Sequence, residues 1–221
     1  MLKKIIVTGG DGRFAQELKK NKSKYNFVFR NKNQLNILSI KSIEKNIKEF
    51  KPKYVLHLAG LSRPMSIHDH KISRSIDLNI VGTCNLVKIC ILKKIKLIFF
   101  STSYVYPGTK GNYKETDPVL PWNNYGWSKL GAEAAVQMYK NSLIIRACMT
   151  EKPFIHDYAY SNVKSNFIFH DDIAKKILKV IDKKGVINIG GKAQSIYKFA
   201  IKNKKNVKKK LKKKNFLKRW I

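Results

Sequence analysis

Two residues in the stretch "YGWSK" are suited to proton chemistry: Tyr125 and, four positions on, Lys129. At that spacing both side chains share one face of a helix. A free phenol titrates near pH ~10 and needs help to move a proton at neutral pH. An ammonium one turn away favours the phenolate. Such a pair could exchange a proton with a carbonyl or hydroxyl oxygen. Taken alone, it fits two side chains on a wet helix surface equally well. A reacting oxygen also needs a group to orient it. "FFSTSYVYPG" offers Thr102, 23 residues before the tyrosine, where a solid apolar run ends. Ser101 and Ser103 flank it and would serve instead if the register were shifted by one.

Redox chemistry at such a site calls for a cofactor, and the N-terminus supplies a loop for one. "VTGGDGRFAQEL" places Gly9, Gly10 and Gly12 between an apolar run and a helical pattern, with Ala15 as a further small residue. Such a turn needs unusual backbone angles, close approach to a pyrophosphate and tight helix–strand packing. The second apolar run ends in "FRNKN", with Arg30 and Lys32 and no acid; Arg13 lies in the loop. An acid there would read the ribose 2′-hydroxyl of NAD, whereas positive charge suits the 2′-phosphate of NADP. NADP is therefore expected, with NAD as the alternative.

These groups must be positioned by a scaffold. "KKIIVTGG", "YNFVFR", "KYVLHLAG", "KLIFFSTS", "SLIIRAC" and "GVINIGG" read as strands. Helical patterns alternate with them: "GRFAQELKK", "SIKSIEKNIKEF" ending before Pro52, "SIDLNIVGTCNLVKICILKK" with Leu78, Val81, Leu86 and Ile89 inward, "YGWSKLGAEAAVQMYK" and "DDIAKKILKVID". Alternation with near-continuous apolar strands predicts an α/β fold built on a doubly wound, mainly parallel sheet. The expected division is a dinucleotide-binding core over 1–149 and a reduced substrate-binding portion over 150–201. A basic, solvated tail is expected over 202–221, with 11 basic residues and no acid.

Composition narrows the function classes. Hydrophobic content of 43% suffices for a core, and no uninterrupted apolar run approaches a membrane span. No secretory leader is evident, so a cytoplasmic protein without a membrane partner is expected. Cys84, Cys90 and Cys148 are scattered, form no CxxC and read as buried free thiols, with no metal site. The net charge of +32 invites nucleic acid, but 40 of the 46 basic residues are lysine. Bidentate recognition of phosphate and bases favours arginine, and Lys, Asn and Ile share AT-rich codons. Nucleic acid is therefore not the expected partner; an anionic substrate or cofactor suits the field.

The ordered set "VTGGDGRFAQEL", "QLNILSIKSIE", "KPKYVLHLAG", "DLNIVGTCNLV", "FFSTSYVYPG", "YGWSKLGAE" and "IIRA" resembles the extended, sugar-nucleotide branch of the short-chain dehydrogenase/reductase superfamily. Within it the resemblance is to dTDP-4-dehydrorhamnose reductases and related NAD-dependent epimerase/dehydratase proteins, over residues 1–147. The resemblance implies a Rossmann core, a nucleotide-sugar substrate and a homodimer formed by helices around 80–92 and 126–140. It implies a catalytic set of Thr102, Tyr125 as proton donor, Lys129 and Asn79. Asn79 would serve a water relay or bend its helix. Cofactor contacts would come from Gly9, Gly10, Gly12, Arg13, Phe14, Arg30, Asn36, Leu58, Ala59 and Gly60, besides Tyr125 and Lys129. Dehydratases of this branch carry an Asp–Glu pair after the threonine. Here Ser103 and Tyr104 stand there, which leaves reduction of a 4-keto sugar nucleotide as the expected reaction, epimerisation as its alternative and a non-catalytic cofactor-binding protein as a third. The family's substrate-binding part is longer than the segment after "IIRAC"; "TEKPFIHDYAYSNVKSN" would stack a base or line a partner surface.

Overall fold

The computed structural model describes residues 2–212. β1 (Lys3–Thr8), α1 (Arg13–Lys19), β2 (Tyr25–Arg30), α2 (Ile40–Phe50) and β3 (Tyr54–His57) alternate from the start. The short α3 (Ile67–His70) and α4 (Ile72–Ser75) come next, and α4 runs through a π-helical stretch, Ile76–Val81, into α5 (Gly82–Leu92). Beyond it lie β4 (Lys96–Thr102), a 3₁₀ turn (Ser103–Val105), α6 (Asn124–Gln137) and β5 (Ser142–Ala147). The remainder holds β6 (Met149–Thr150), β7 (Tyr158–Tyr160), β8 (Lys164–Ser165), β9 (Ile168–Phe169), α7 (His170–Val180), β10 (Gly185–Ile189), β11 (Gln194–Ser195), α8 (Ile196–Ile201) and β12 (Lys208–Lys210).

Six strands form one sheet in the order β2-β1-β3-β4-β5-β10, every pair parallel. They are the six runs expected from the sequence. Their apolar continuity has a direct cause, because alternate side chains enter cores on opposite faces. Ile5, Val7, Ile98 and Ile145 pack with Phe14, Leu18, Ile173 and Ile177 of α1 and α7. Ile6, Val55, Phe99 and Ile144 pack with Ile43, Leu86 and Val136 of α2, α5 and α6. β1 and β3 are neighbours whose chains leave toward opposite edges of the sheet. This is the topological switch point, where a crevice opens at the carboxyl ends of the strands.

Three features differ from the sequence expectation. The first is the face of the long helix. Leu86 and Ile89 are buried as expected, but Leu78 is only half-buried and Val81 is exposed. The π-helical stretch widens the turn and shifts its side chains around the helix axis, so Asn79, Gly82 and Thr83 point inward instead. The second is length. Ile72–Leu92 is one helical run of 21 residues, long and apolar enough to cross a membrane by length and composition alone. Its inner face packs in the core through Leu86, Val87, Ile89 and Cys90, while Ile72, Ile76, Ile91 and Leu92 are exposed. Asn79, Thr83 and Asn85 interrupt the apolar run without cancelling its overall apolarity.

The third is the C-terminal portion. Residues 202–212 do not behave as a solvated tail: β12 pairs in parallel with β7, and Val207 is buried. The backbone supplies the pairing, so the three lysines of β12 stay exposed. Val207 anchors the segment in a third small core with Phe154, Ala159, Phe199 and Ala200. The pairs β6–β9 and β8–β11 complete this portion. Phe154 therefore serves packing, while Tyr158 remains exposed. Residues 213–221 of the expected tail lie outside the described residues.

A buried polar chain crosses the switch point. Thr83 Oγ1 donates to the Asn79 carbonyl (2.7 Å), so its oxygen accepts from His57 Nε2 (3.0 Å). His57 Nδ1 then accepts from Thr8 Oγ1 (2.8 Å), whose oxygen accepts the Leu58 and Ala59 N–H groups at 3.2 and 3.1 Å. This ties β1, β3 and α5 together and fixes one neutral tautomer. Burial, then the Lys129 charge, pulls the His57 pKa down to about 3. Above pH 6.5 neither the folded nor the unfolded state protonates His57; between there and about 3 only the unfolded chain takes the proton. Stability is thus expected to be fully present above pH 6.5 and to fall by on the order of 3–5 kcal/mol as pH drops through that window. Urea unfolding from pH 7 to 4 should show the loss, and His57→Asn should flatten the slope while lowering stability at pH 7.

Candidate active site

The phosphate-loop residues converge at the switch point. Gly9 has φ +68°, and a Cβ there would lie 2.8 Å from the Ala59 backbone, so the loop can pass the end of β3 only as glycine. Gly10 N–H donates to the Arg30 carbonyl (2.8 Å), and Gly12 N–H to the Gly9 carbonyl (2.9 Å) before Arg13 opens α1. Leu58 and Ala59 are held by Thr8, and Gly60 lies against Asn79 Oδ1. Phe14 is buried in the core with its ring 4.9 Å from Phe100. Asn36 builds a local turn, its Oδ1 accepting from Leu38 N–H at 3.0 Å.

At the end of β2, Arg30 lies 4.1 Å over the Phe50 ring and 3.6 Å from Glu49. Its Nε is buried without a hydrogen-bond partner among the described residues. An orphaned guanidinium nitrogen beside the Gly-rich loop fits an anionic group, such as a ribose 2′-phosphate, better than a bare hydroxyl.

The residues expected to handle the proton lie at the carboxyl end of β4 and on α6. Asn123 caps α6 by accepting from Gly126 N–H at 2.7 Å. A Cβ on Gly126 would lie 2.5 Å from the Tyr104 carbonyl, so glycine lets α6 start against the 3₁₀ turn. Thr102 Oγ1 accepts from Tyr104 N–H at 3.2 Å, and its side chain acts on the Tyr125 hydroxyl, pulling its pKa down. The Tyr125 ring sits between His68, with centroids 5.0 Å apart, and Tyr104, edge-on at 6.1 Å. Ser101 instead donates to Glu133 at 2.7 Å, which turns its hydroxyl away from the tyrosine.

Lys129 is buried with its ammonium 4.1 Å from the Phe99 centroid. Burial lowers its pKa to about 7, against an upward pull from Glu133. Burial raises Tyr125 to about 12, opposed by the Thr102 side chain and the Arg63 charge. Removal from water dominates, and the phenol stays protonated.

Asn79 uses its amide on structure. Oδ1 accepts from Leu61 N–H (2.6 Å); Nδ2 donates to the Leu61 carbonyl (2.9 Å) and to Ser128 Oγ (2.8 Å). Ser128 donates in turn to the Tyr125 carbonyl at 2.8 Å. Asn79 thus clamps the loop after β3 onto the turn that carries Tyr125.

Sequence reasoning missed a buried charge pair behind this site. Glu133 accepts from Ser101, from Arg146 Nε (2.9 Å) and in a short contact from Arg146 Nη2. Arg146 Nη1 also donates to the Tyr106 hydroxyl (2.8 Å) and the Glu115 carbonyl (3.1 Å). Charges inside "GAEAAV" and "LIIRAC", otherwise apolar or small, were the available signal, as was His57 inside "YVLHL". The three thiols are free and no group of His, Cys, Asp or Glu suited to a metal occurs among the described residues.

The model of the RmlD substrate binding domain matches residues 3–167 of this chain. The chain belongs to that family. The family's dTDP-4-dehydrorhamnose reductase-like fold extends through the C-terminal portion. A dTDP-4-dehydrorhamnose reductase from Bacillus anthracis in complex with NADP superposes with a TM-score of 0.87 at 21% identity, over 96% of this chain and 85% of that one. A UDP-glucose 4-epimerase from Thermus thermophilus complexed with NAD gives 0.72 at 16% identity, over 90% and 81%. Among sequences, methionine adenosyltransferase 2 subunit beta of Bos taurus is 30% identical over 143 residues, 61% of this chain and 42% of that protein. A dTDP-4-dehydrorhamnose reductase of Aggregatibacter actinomycetemcomitans is 26% identical over 152 residues, 66% and 51%. The chain thus spans about half the length, or less, of the curated relatives it matches.

Removing the carboxylate from this RmlD-family site leaves Arg146 buried without its counter-ion. Glu133→Gln is expected to cost about 3–5 kcal/mol of unfolding free energy in a denaturant titration.

Proposed function

We propose that this chain is an NADP-dependent oxidoreductase that reduces a keto group on a nucleotide sugar, in the manner of a 4-keto sugar reductase. The observation that carries the reading is Thr102 at the carboxyl end of β4 with α6, which carries Tyr125, starting against the turn that follows it, the phenol being held protonated. Two hydroxyls aimed at one carbonyl oxygen polarise it and stabilise the charge that gathers there during reduction. Tyr125 gives that oxygen its proton. Lys129, near neutral pKa, is suited to hold a ribose hydroxyl and to return a proton toward the tyrosine. Reduced nicotinamide supplies the hydride when bound. The Gly9–Gly12 loop and Arg30 would hold its pyrophosphate and 2′-phosphate, and Asn79 is a positioning residue.

Residues 150–212 would form the substrate-binding portion, with Tyr158 and Tyr160 available to a base. Reduction is favoured over epimerisation because Arg30 suits a cofactor that is exchanged at each turnover. The exposed Ile72, Ile76, Val81, Ile91 and Leu92 support a homodimer through the α4–α5 face. A second reading, a non-catalytic cofactor-binding subunit, is favoured by the 30% identity to a protein named as the beta subunit of a methionine adenosyltransferase.

Tyr125→Phe should keep dinucleotide binding and lose at least ~100-fold in turnover of NADPH with 4-keto sugar nucleotides. Full turnover in that variant rules out the proton-donor role, and an inactive but cofactor-binding wild type supports the subunit reading. Arg30→Asp should raise the dissociation constant for NADPH relative to NADH; an unchanged ratio refutes the 2′-phosphate assignment.

A further inference from the structure

The two strands at the switch point each send an arginine to the mouth of the crevice. Arg13 begins α1 after β1, and Arg63 lies in the loop after β3. Both converge on one carboxylate: Arg13 Nη1 is 2.6 Å from Glu151 Oε1, and Arg63 Nη1 is 2.7 Å from Oε2. Glu151 comes directly after β6, on the far side of the mouth, and its side chain is only 16% exposed. Burial pushes its carboxyl up, but Arg63 and Arg13, with His170, outweigh that and hold it below the usual carboxylate range. Arg13 and Glu151 border an open cleft with Gln16, Lys152 and His170; Glu17, Lys20 and Asp171 also line it, Glu17 being paired with Lys20 at 2.7 Å, and Arg63 reaches Glu151 from outside that cleft.

The stoichiometry is uneven. Two positive forks share a single negative charge, and each spends one nitrogen on it, although a guanidinium carries five N–H donors and pairs best in bidentate fashion. A diphosphate offers several acceptor oxygens and more than one charge across the same gap. The field of this strongly basic chain would concentrate such an anion.

We propose that Arg13 and Arg63 form a clamp for a diphosphate group, and that Glu151 occupies the clamp as an internal competitor that the ligand displaces. The diphosphate has two sources under the function proposed above, a dinucleotide cofactor or a nucleoside-diphosphate sugar, and the inference rests on that reading only for those sources. Removing the charge of Glu151 frees both arginines, so affinity rises rather than falls.

Calorimetric titrations of wild type, Glu151→Gln and Glu151→Gln/Arg63→Gln with NADPH, dTDP and inorganic pyrophosphate test it. Glu151→Gln should tighten the occupant of the clamp by about three- to tenfold, the scale of releasing one or two partly exposed ion pairs. Adding Arg63→Gln should cancel the gain. A gain for NADPH alone identifies the cofactor as the source, and a gain for dTDP alone identifies the substrate. Unchanged or weaker binding of all three probes by Glu151→Gln overturns the clamp, and if NADPH still binds and turns over, the proposed function survives it. A gain for pyrophosphate without any NADPH binding keeps the clamp and sinks the oxidoreductase reading. Absence of binding by all probes and variants overturns both.

Discussion

The buried Glu133 carboxylate is the joint on which the site's geometry depends. It lies on α6, one turn after Lys129 and two after Tyr125, and takes hydrogen bonds from Ser101 on β4 and Arg146 on β5. Ser101 immediately precedes Thr102. One side chain therefore fixes the strand that carries the threonine against the helix that carries the tyrosine and lysine. Charge is costly inside a protein unless paired and hydrogen-bonded. Here Arg146 supplies the pair through two guanidinium nitrogens, and Tyr106 with the Glu115 carbonyl takes up the third. The junction holds in a single arrangement because any other would strand a charge without water.

A second, neutral joint works at the neighbouring strand ends. The chain Thr8–His57–Thr83 uses hydroxyls and one imidazole, and every proton in it has one assignment. It hands over to Asn79, which grips the loop after β3 and, through Ser128, the backbone of Tyr125. The end of β1 and the turn that carries Tyr125 are thus linked by a polar path through the core.

All six strands of the main sheet and the long helices were legible because their apolar periods are strong and the glycines punctuate them. Thr102, Tyr125 and Lys129 were legible as types at a spacing; Thr102 ends β4, and Tyr125 and Lys129 lie on α6, which starts against the turn after it. Legibility failed where the partner is remote in sequence. Glu133 and Arg146 gain meaning only across a helix–strand contact, and Arg13, Arg63 and Glu151 only across the mouth of the crevice. Val81 was misplaced because periodicity assumes 3.6 residues per turn, which a π-helical stretch breaks. Lys208–Lys210 were misread because strand pairing belongs to the backbone and is invisible in a lysine run.

The acid–base order of the pair in "YGWSK" inverts that of the free amino acids. In water, tyrosine and lysine titrate close together, near ~10. In this site burial acts on both but in opposite directions, because it penalises the charged form: phenolate for one, ammonium for the other. Tyr125 rises to about 12 and Lys129 falls to about 7. Groups whose environments drive their pKa values apart mark a division of labour between acid and base. The tyrosine is left protonated at neutral pH. The lysine is left as the group whose charge changes at neutral pH. The same desolvation that makes Lys129 responsive also strengthens each nearby dipole.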